Sequence, residues 1–136
     1  MLSYNDKHNL ADTLFIVLSS YRKSLLSGGI LTYEGMWGNN TAGGMDPNTG
    51  TFVAKRGGPY IFTVTGISHS SPSSAFHIMH NGNHVATAWD SANGHSMMSQ
   101  TVILDLLPSD KVWVQMLARG MHSDGNNYIH FVGHSL

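Results

Sequence analysis

The stretch Met45-Asp46-Pro47-Asn48-Thr49-Gly50-Thr51-Phe52, separated by five residues from Gly58-Pro59-Tyr60-Ile61-Phe62, decides how this chain folds. Pro47 fixes its own φ and Gly50 tolerates positive φ, so Asp46 to Gly50 predicts a tight turn. Thr51 to Lys55 after it reads as a strand, and Gly57-Gly58-Pro59 interrupts the chain again. Tyr60 to Ile67 then sets Tyr60, Phe62 and Val64 against Ile61, Thr63 and Thr65. That is the period of two of a strand with one buried face.

Outward from this stretch the pattern repeats. Fifteen glycines and many Asn, Ser and Asp residues break the 136-residue chain about every 8 to 12 residues, the spacing that suits a sandwich or barrel. Upstream, Thr13 to Ser20 and Ile30 to Met36 read as strands. Downstream, Ala75 to His80 and His84 to Trp89 flank Asn81-Gly82, the strongest short hairpin signal present. Met98 to Leu107 and Lys111 to Ala118 are joined across Pro108-Ser109-Asp110, and Asn127 to Val132 closes the chain. The sum is nine or ten strands, with no sustained helical period and no repeat. Residues 5 to 12 are polar, so residues 1–12 are expected to form a flexible arm ahead of one domain, 13–136.

Composition narrows function. A chain this long buries roughly two-thirds of its unfolded surface, enough for a core without staples. The absence of cysteine excludes disulfides and thiolate metal sites. A net charge of -1 provides no basic field, so nucleic acid is not an expected partner. The apolar run Leu14 to Leu18 is too short to span a bilayer and lacks the flanks of a signal peptide. Only 11% of residues are charged, against about 25% in ordinary domains. Two explanations stay open: a surface of Ser, Thr, Asn and Gly, or a surface hidden inside an oligomer.

Taken together, these motifs resemble the globular head domain of complement C1q. The D-P-x-T-G turn before Phe52, the G-x-Y-x-F segment Gly58 to Phe62 and the five-residue spacing between them all fit that family, and Asn40 falls on its upstream Asn/Asp position. Thr13-Leu14-Phe15-Ile16-Val17 resembles its opening strand. Leu104-Asp105-Leu106-Leu107-Pro108-Ser109-Asp110-Lys111-Val112 resembles its L-x-L-x-x-G-D-x-V hairpin, with Ser109 replacing Gly. Phe131-Val132-Gly133 resembles its closing F-x-G strand. Met45, Glu34 and Val64 depart from aromatic positions of the pattern.

The resemblance implies an all-β, ten-stranded jelly-roll sandwich shared with tumour-necrosis-factor cytokines, assembled as a homotrimer. Phe15, Phe52, Tyr60, Phe62 and Phe131 are then core or trimer-seam residues. Without a collagen repeat, the chain resembles stand-alone invertebrate C1q-domain immune lectins. This implies a secreted, non-enzymatic domain that binds carbohydrate or microbial surface ligands in innate immunity. The alternative it leaves is a cytokine-like or adhesive trimer that binds a protein receptor. Some such trimers bind calcium near their axis. Asp90 stands at a matching place, while the second carboxylate position falls near His95 or Ser96, neither of them acidic.

Candidate site residues follow from loop chemistry. Sugars are held by planar polar groups that fork onto hydroxyls and by an aromatic face over their C–H side. Trp89, Asp90, Asn93 and His95 in one loop, and His122, Ser123, Asp124, Asn126, Asn127 and Tyr128 in another, combine these ingredients. Loops on a rigid scaffold are where recognition residues concentrate. The carboxylates are scattered among turns and no nucleophile elbow occurs, so no catalytic residue is expected. Nine histidines are many for this length. His80 and His84 flank the Asn81-Gly82 turn and are placed to approach each other, yet no spacing provides the three or four convergent ligands of a zinc site. Asn39-Asn40-Thr41 is a sequon, making Asn39 a glycosylation candidate in a secreted chain.

Overall fold

The computed structural model describes residues 13–19, 29–37, 43–68, 73–91, 95–118, 121–122 and 126–136. The 1–12 arm, Asn39, Asn93, Ser123 and Asp124 lie outside the described residues. Among the described residues, ten strands follow in chain order: β1 (Leu14–Ser19), β2 (Gly35–Met36), β3 (Met45–Asp46), β4 (Thr51–Val53), β5 (Gly58–Ile67), β6 (Ser74–His80), β7 (Asn83–Asp90), β8 (Met97–Leu106), β9 (Lys111–Ala118) and β10 (Ile129–Ser135). They make two antiparallel five-stranded sheets, ordered β2-β1-β10-β5-β8 and β3-β4-β9-β6-β7. Consecutive strands β4 and β5, β5 and β6, β7 and β8, and β8 and β9 lie in different sheets, so the chain crosses repeatedly between layers. This is the expected jelly roll.

Alternation builds the core. Tyr60, Phe62 and Val64 face inward from β5, Phe76 and Ile78 from β6, Val112, Val114 and Met116 from β9, and Phe131 from β10, all at most 1% exposed. Phe15 stacks on Phe52 at 5.2 Å between ring centroids and meets Phe131 edge-on at 5.1 Å. The Phe15–Phe52 stack joins the two sheets, and the Phe15–Phe131 edge contact ties neighbouring strands of one sheet, both arrangements favoured by ring quadrupoles. Phe15, Phe52, Tyr60, Phe62 and Phe131 therefore fill the interior of a single protomer. The Tyr60 hydroxyl donates to the Arg56 carbonyl at 2.7 Å, so its one polar atom is satisfied.

Two glycines carry specific loads. Gly50 closes the Asp46 turn at φ 73°, and a side chain there would overlap the Leu31 carbonyl. Gly133 lies opposite Phe15 and Phe62 in the ladder, and a methyl at that position would overlap both rings.

The structure corrects three strand boundaries. The run Ile30 to Met36 yields only Gly35–Met36, because it passes from one sheet to the other. Ile30 bridges Gln115, Leu31 N–H donates to the Val114 carbonyl, Tyr33 N–H to the Pro47 carbonyl, and Glu34 N–H to the Leu18 carbonyl. Leu31 and Tyr33 are buried beneath this crossing. Asp46, read as the first residue of the turn, pairs with Thr51, and Met45 before it pairs with Phe52, as a short strand. The closing strand begins later, at Ile129, because Asn127 takes the left-handed region at φ 57°, and it runs on to Ser135. Among the described residues, no helix is long and apolar enough to cross a membrane.

Candidate functional site

Strands β5, β7 and β9 end, and β6, β8 and β10 begin, at one end of the sandwich. The two loops singled out from sequence meet there around Ser68. Ser68 bridges Met121, its N–H donates to the Ser96 carbonyl at 2.9 Å, and its hydroxyl accepts from Ser96 N–H at 3.0 Å. The ring of His95 hydrogen-bonds through Nδ1 to the Ser68 carbonyl at 2.8 Å, which fixes Nδ1 as the donor. His122 N–H donates to the Ile67 carbonyl at 2.9 Å. These bonds bring the His95 and His122 rings to 4.3 Å, and the Tyr128 ring lies 6.1 Å beyond His122. Met121, next to His122 in sequence and 1% exposed, is buried in the core and anchors that segment. Asn127 turns the chain into this cluster at its left-handed φ, and its carbonyl accepts from His130 Nε2 at 2.6 Å.

The structure therefore unites His95, His122 and Tyr128, with Asn126 and Asn127 adjoining. Among the described residues, Trp89 has no ring contact with this group. It stands at the same end on the outward side of β7, 63% exposed, opposite Ala75. Asp90 pairs with Ser74 at the end of β7. Among the described residues, no group of three or more His, Asp or Glu side chains is arranged to hold a metal ion. One protomer's described residues thus do not make a calcium cage around Asp90, which would need several oxygen ligands.

Expectation and structure differ over the histidine pair at the hairpin. His84 does not pack on His80. It stacks on His77, with ring centroids 3.8 Å apart, while His80 Nε2 lies 2.9 Å from Asp110 Oδ2. The cause is a slip in the β6–β7 ladder at Ile78/Met79.

Two surfaces escaped the sequence reading. A concavity of about 470 Å³ lies beside the Asp46 turn, lined by Ile30, Asp46, Thr49, Lys111 and Trp113 among others. Val112 and Val114 face the core, so Trp113 between them faces out, a parity signal that was available in the sequence. The second surface is the outer side of the β2-β1-β10-β5-β8 sheet. Ladder rows there read Leu14, His134, Ile61, Ile103 and then Ile16, Val132, Thr63, Thr101. Strands β1, β5, β8 and β10 contain no Lys or Arg and a single carboxylate, Asp105. Ile103 is 63% exposed.

Comparison with known proteins agrees with this geometry. The family model described as "C1q domain" matches residues 17–136. Over 101 residues the chain is 39% identical to mouse Complement C1q tumor necrosis factor-related protein 6, a match covering 70% of this chain and 38% of that protein. The chain thus spans about two-fifths of the length of that relative. Among solved structures, the globular domain of zebrafish complement 1qA protein superposes with TM-score 0.77 at 20% identity, covering 92% of this chain and 97% of that one. Eiger TNF from S. frugiperda gives TM-score 0.68 at 12% identity, with 93% of each chain covered. At those identities the structures establish the fold alone, whereas the family match runs from residue 17, within β1, to the last residue and takes in the Asp46 turn, Phe52, Tyr60, Phe62 and the closing strand with Phe131. The chain belongs to the C1q domain family.

Proposed function

We propose that this domain is a secreted, non-catalytic recognition module that acts as a homotrimer and binds carbohydrate on microbial surfaces. One observation supports it most: two loops distant in sequence converge so that His95, His122 and Tyr128 form a polar aromatic cluster at one end of a rigid sandwich. Imidazole nitrogens and neighbouring amides suit sugar hydroxyls, and a ring face suits the C–H side of a pyranose. Trp89 extends the same end with an exposed indole. Weak single sites repeated on three protomers gain avidity on a repeating polysaccharide. A calcium ion at Asp90 would need further oxygen ligands from neighbouring protomers.

The test is a glycan and bacterial-polysaccharide array, read with and without chelator, on the wild-type protein and Tyr128→Ala. The expected result is sugar-dependent binding that Tyr128→Ala weakens roughly tenfold, in line with about 1–1.5 kcal/mol for an aromatic contact. Silence across the array at millimolar chain concentration overturns the lectin reading.

A protein receptor is the second reading. It is favoured by the 39% identity to a C1q tumor necrosis factor-related protein. A single stoichiometric protein partner, captured with unchanged yield in excess sugar, would select it.

A further inference from the structure

The concavity of about 470 Å³ beside the Asp46 turn lies where β9 begins, whereas the His95–His122–Tyr128 cluster lies where β9 ends. Its floor is two ladder rows on the outer face of the β3-β4-β9-β6-β7 sheet. Phe52 and Val112 point into the core, so Thr51 and Val53 on β4, with Trp113 and Lys111 on β9, point outward. In the first row Asp46 pairs with Thr51, and Thr51 with Trp113. In the second Val53 pairs with Lys111. The wall is Ile30, which bridges Gln115 on β9 just past Trp113. Its Cγ2 lies 3.2 Å from where a Cβ on Gly50 would sit, so it closes against the Asp46 to Gly50 turn.

Each lining group has a defined capacity. Trp113 Nε1–H donates to Gln115 Oε1 at 3.2 Å, so the indole has spent its donor and offers the concavity apolar ring surface. Asp46 Oδ1 accepts from Asn48 N–H at 2.9 Å, which leaves Oδ2 as an acceptor. Lys111 and Asp46 are the charged residues of the lining, and among the described residues neither makes an ion pair. Distance explains this. Two strand spacings across and two residues along put their backbones roughly 12 Å apart, at opposite corners of the patch. Asp110, next to Lys111 in sequence, is spent on His80, Asn81 and the Leu107 N–H. The Lys111 ammonium is therefore an uncompensated cation at the rim.

We propose that this concavity is a separate binding site for a pyranose that carries a carboxylate, a hexuronate unit. Its carboxylate meets the Lys111 ammonium in a charge-assisted hydrogen bond. Its hydroxyls donate to Asp46 Oδ2 and the Thr51 hydroxyl, and its C–H face covers the Trp113 indole. Other small anions fit less of the site. A free amino acid carries both charges on one carbon and does not span opposite corners. A flat aromatic acid satisfies Trp113 and Lys111 but brings no donor to Asp46. A ring with a carboxylate on one side and hydroxyls on the other satisfies all three. The volume falls within the range of small-molecule sites, about 300–1,000 Å³. The site stands whether or not the His95–His122–Tyr128 cluster binds sugar.

The test titrates the intact protein with methyl galacturonide, its neutral counterpart methyl galactoside, and acetate, followed by calorimetry and by the indole N–H resonances in NMR. The uronide should shift the Trp113 signal, identified by its loss in Trp113→Phe. It should bind about tenfold or more tighter than the galactoside, the scale of a hydrogen bond to a charged group. Lys111→Met should remove that preference, Lys111→Arg should restore it, and Tyr128→Ala should leave it unchanged. Equal affinity for uronide and galactoside overturns the proposal, as does acetate binding as tightly as the uronide, or no uronide binding at millimolar concentration. Uronide binding lost in Tyr128→Ala but unchanged in Lys111→Met would assign it to the end cluster and overturn the proposal too.

Discussion

Ser109 stands where the family motif has glycine, and the structure shows why glycine belongs there. Its φ is 74°, in the left-handed region, inside the Pro108-Ser109-Asp110 turn between β8 and β9. A side chain at such a φ crowds the following carbonyl, at a cost of about 1–2 kcal/mol. Glycine avoids that strain but loses more chain entropy on folding, by about 0.5–1 kcal/mol. The Ser109 N–H is spent on the Ala54 carbonyl at 2.7 Å, a backbone bond that either residue can make. Ser109→Gly is therefore expected to stabilise the fold by about 0.5–1 kcal/mol. Urea unfolding would show this as a higher midpoint at unchanged slope, and an unchanged or lower midpoint would refute it. Asn81 also occupies positive φ, but it belongs there, because its side chain takes part in a structure that serine could not build.

That structure is a clasp between two hairpins. Asn81 Nδ2 donates to Asp110 Oδ1 at 2.9 Å, Lys111 N–H donates to Asn81 Oδ1 at 2.7 Å, and His80 meets Asp110 Oδ2. The Leu107 N–H also donates to Asp110 Oδ2, at 2.9 Å. One carboxylate thus ties the β6–β7 turn to the β8–β9 turn. The Leu107 N–H first, then the Asn81 amide and His80, lower the Asp110 pKa from 3.8 to about 2. A carboxylate with a depressed folded pKa contributes stability that is complete above its unfolded value. That stability is lost as pH falls through the folded value. The clasp should therefore weaken from near pH 4 down to about 2. Asp110→Asn should be less stable than wild type at pH 7, and the gap should narrow across that interval. Thermal unfolding at a series of pH values checks this, and a gap that stays constant down to pH 2 would contradict it. Much of this level was legible in sequence. Asn81-Gly82 predicts its hairpin because both residues accept positive φ, and the alternation of β5 predicts its buried aromatics. The slip in the β6–β7 ladder was not legible, since an extra residue in a strand leaves no trace in a run of small and polar side chains. The approach of His95 to His122 was hidden too. It depends on Ser68, a third segment that both loops contact and that neither loop's composition announces.

At the scale of the molecule, the low charge of the sequence is not spread evenly. One whole sheet face, from Leu14 on β1 to Ile103 on β8, carries neither lysine nor arginine, and its carboxylate, Asp105, sits near the end of β8. Within a protomer the core aromatics are already satisfied at 0–1% exposure, so they have no surface left to share. What remains available is this outer face, where Thr63 and Thr101 pair across strands at 3.0 Å and Ile61, Ile103 and Val132 supply apolar area. Contiguous apolar surface of this kind marks an interaction site in a soluble protein. The proposed homotrimer, closing through this face, would decide the choice left open by composition in favour of a surface hidden between copies. Sedimentation of the wild-type protein is then expected to give three times the 14.8 kDa chain mass at micromolar concentration. Ile103→Asp places a carboxylate on the edge strand of this face, where burial against a neighbouring copy without a partner costs several kcal/mol in each copy, about enough to dissociate the assembly. Ile103 makes little use of the protomer's own core, so the variant should stay folded by circular dichroism while sedimenting as a monomer. Val85→Asp, on the opposite sheet, carries the same added charge and should leave the trimer intact. Dissociation by both variants would point to net charge rather than to this face, and persistence of the trimer in Ile103→Asp would move the seam elsewhere on the molecule.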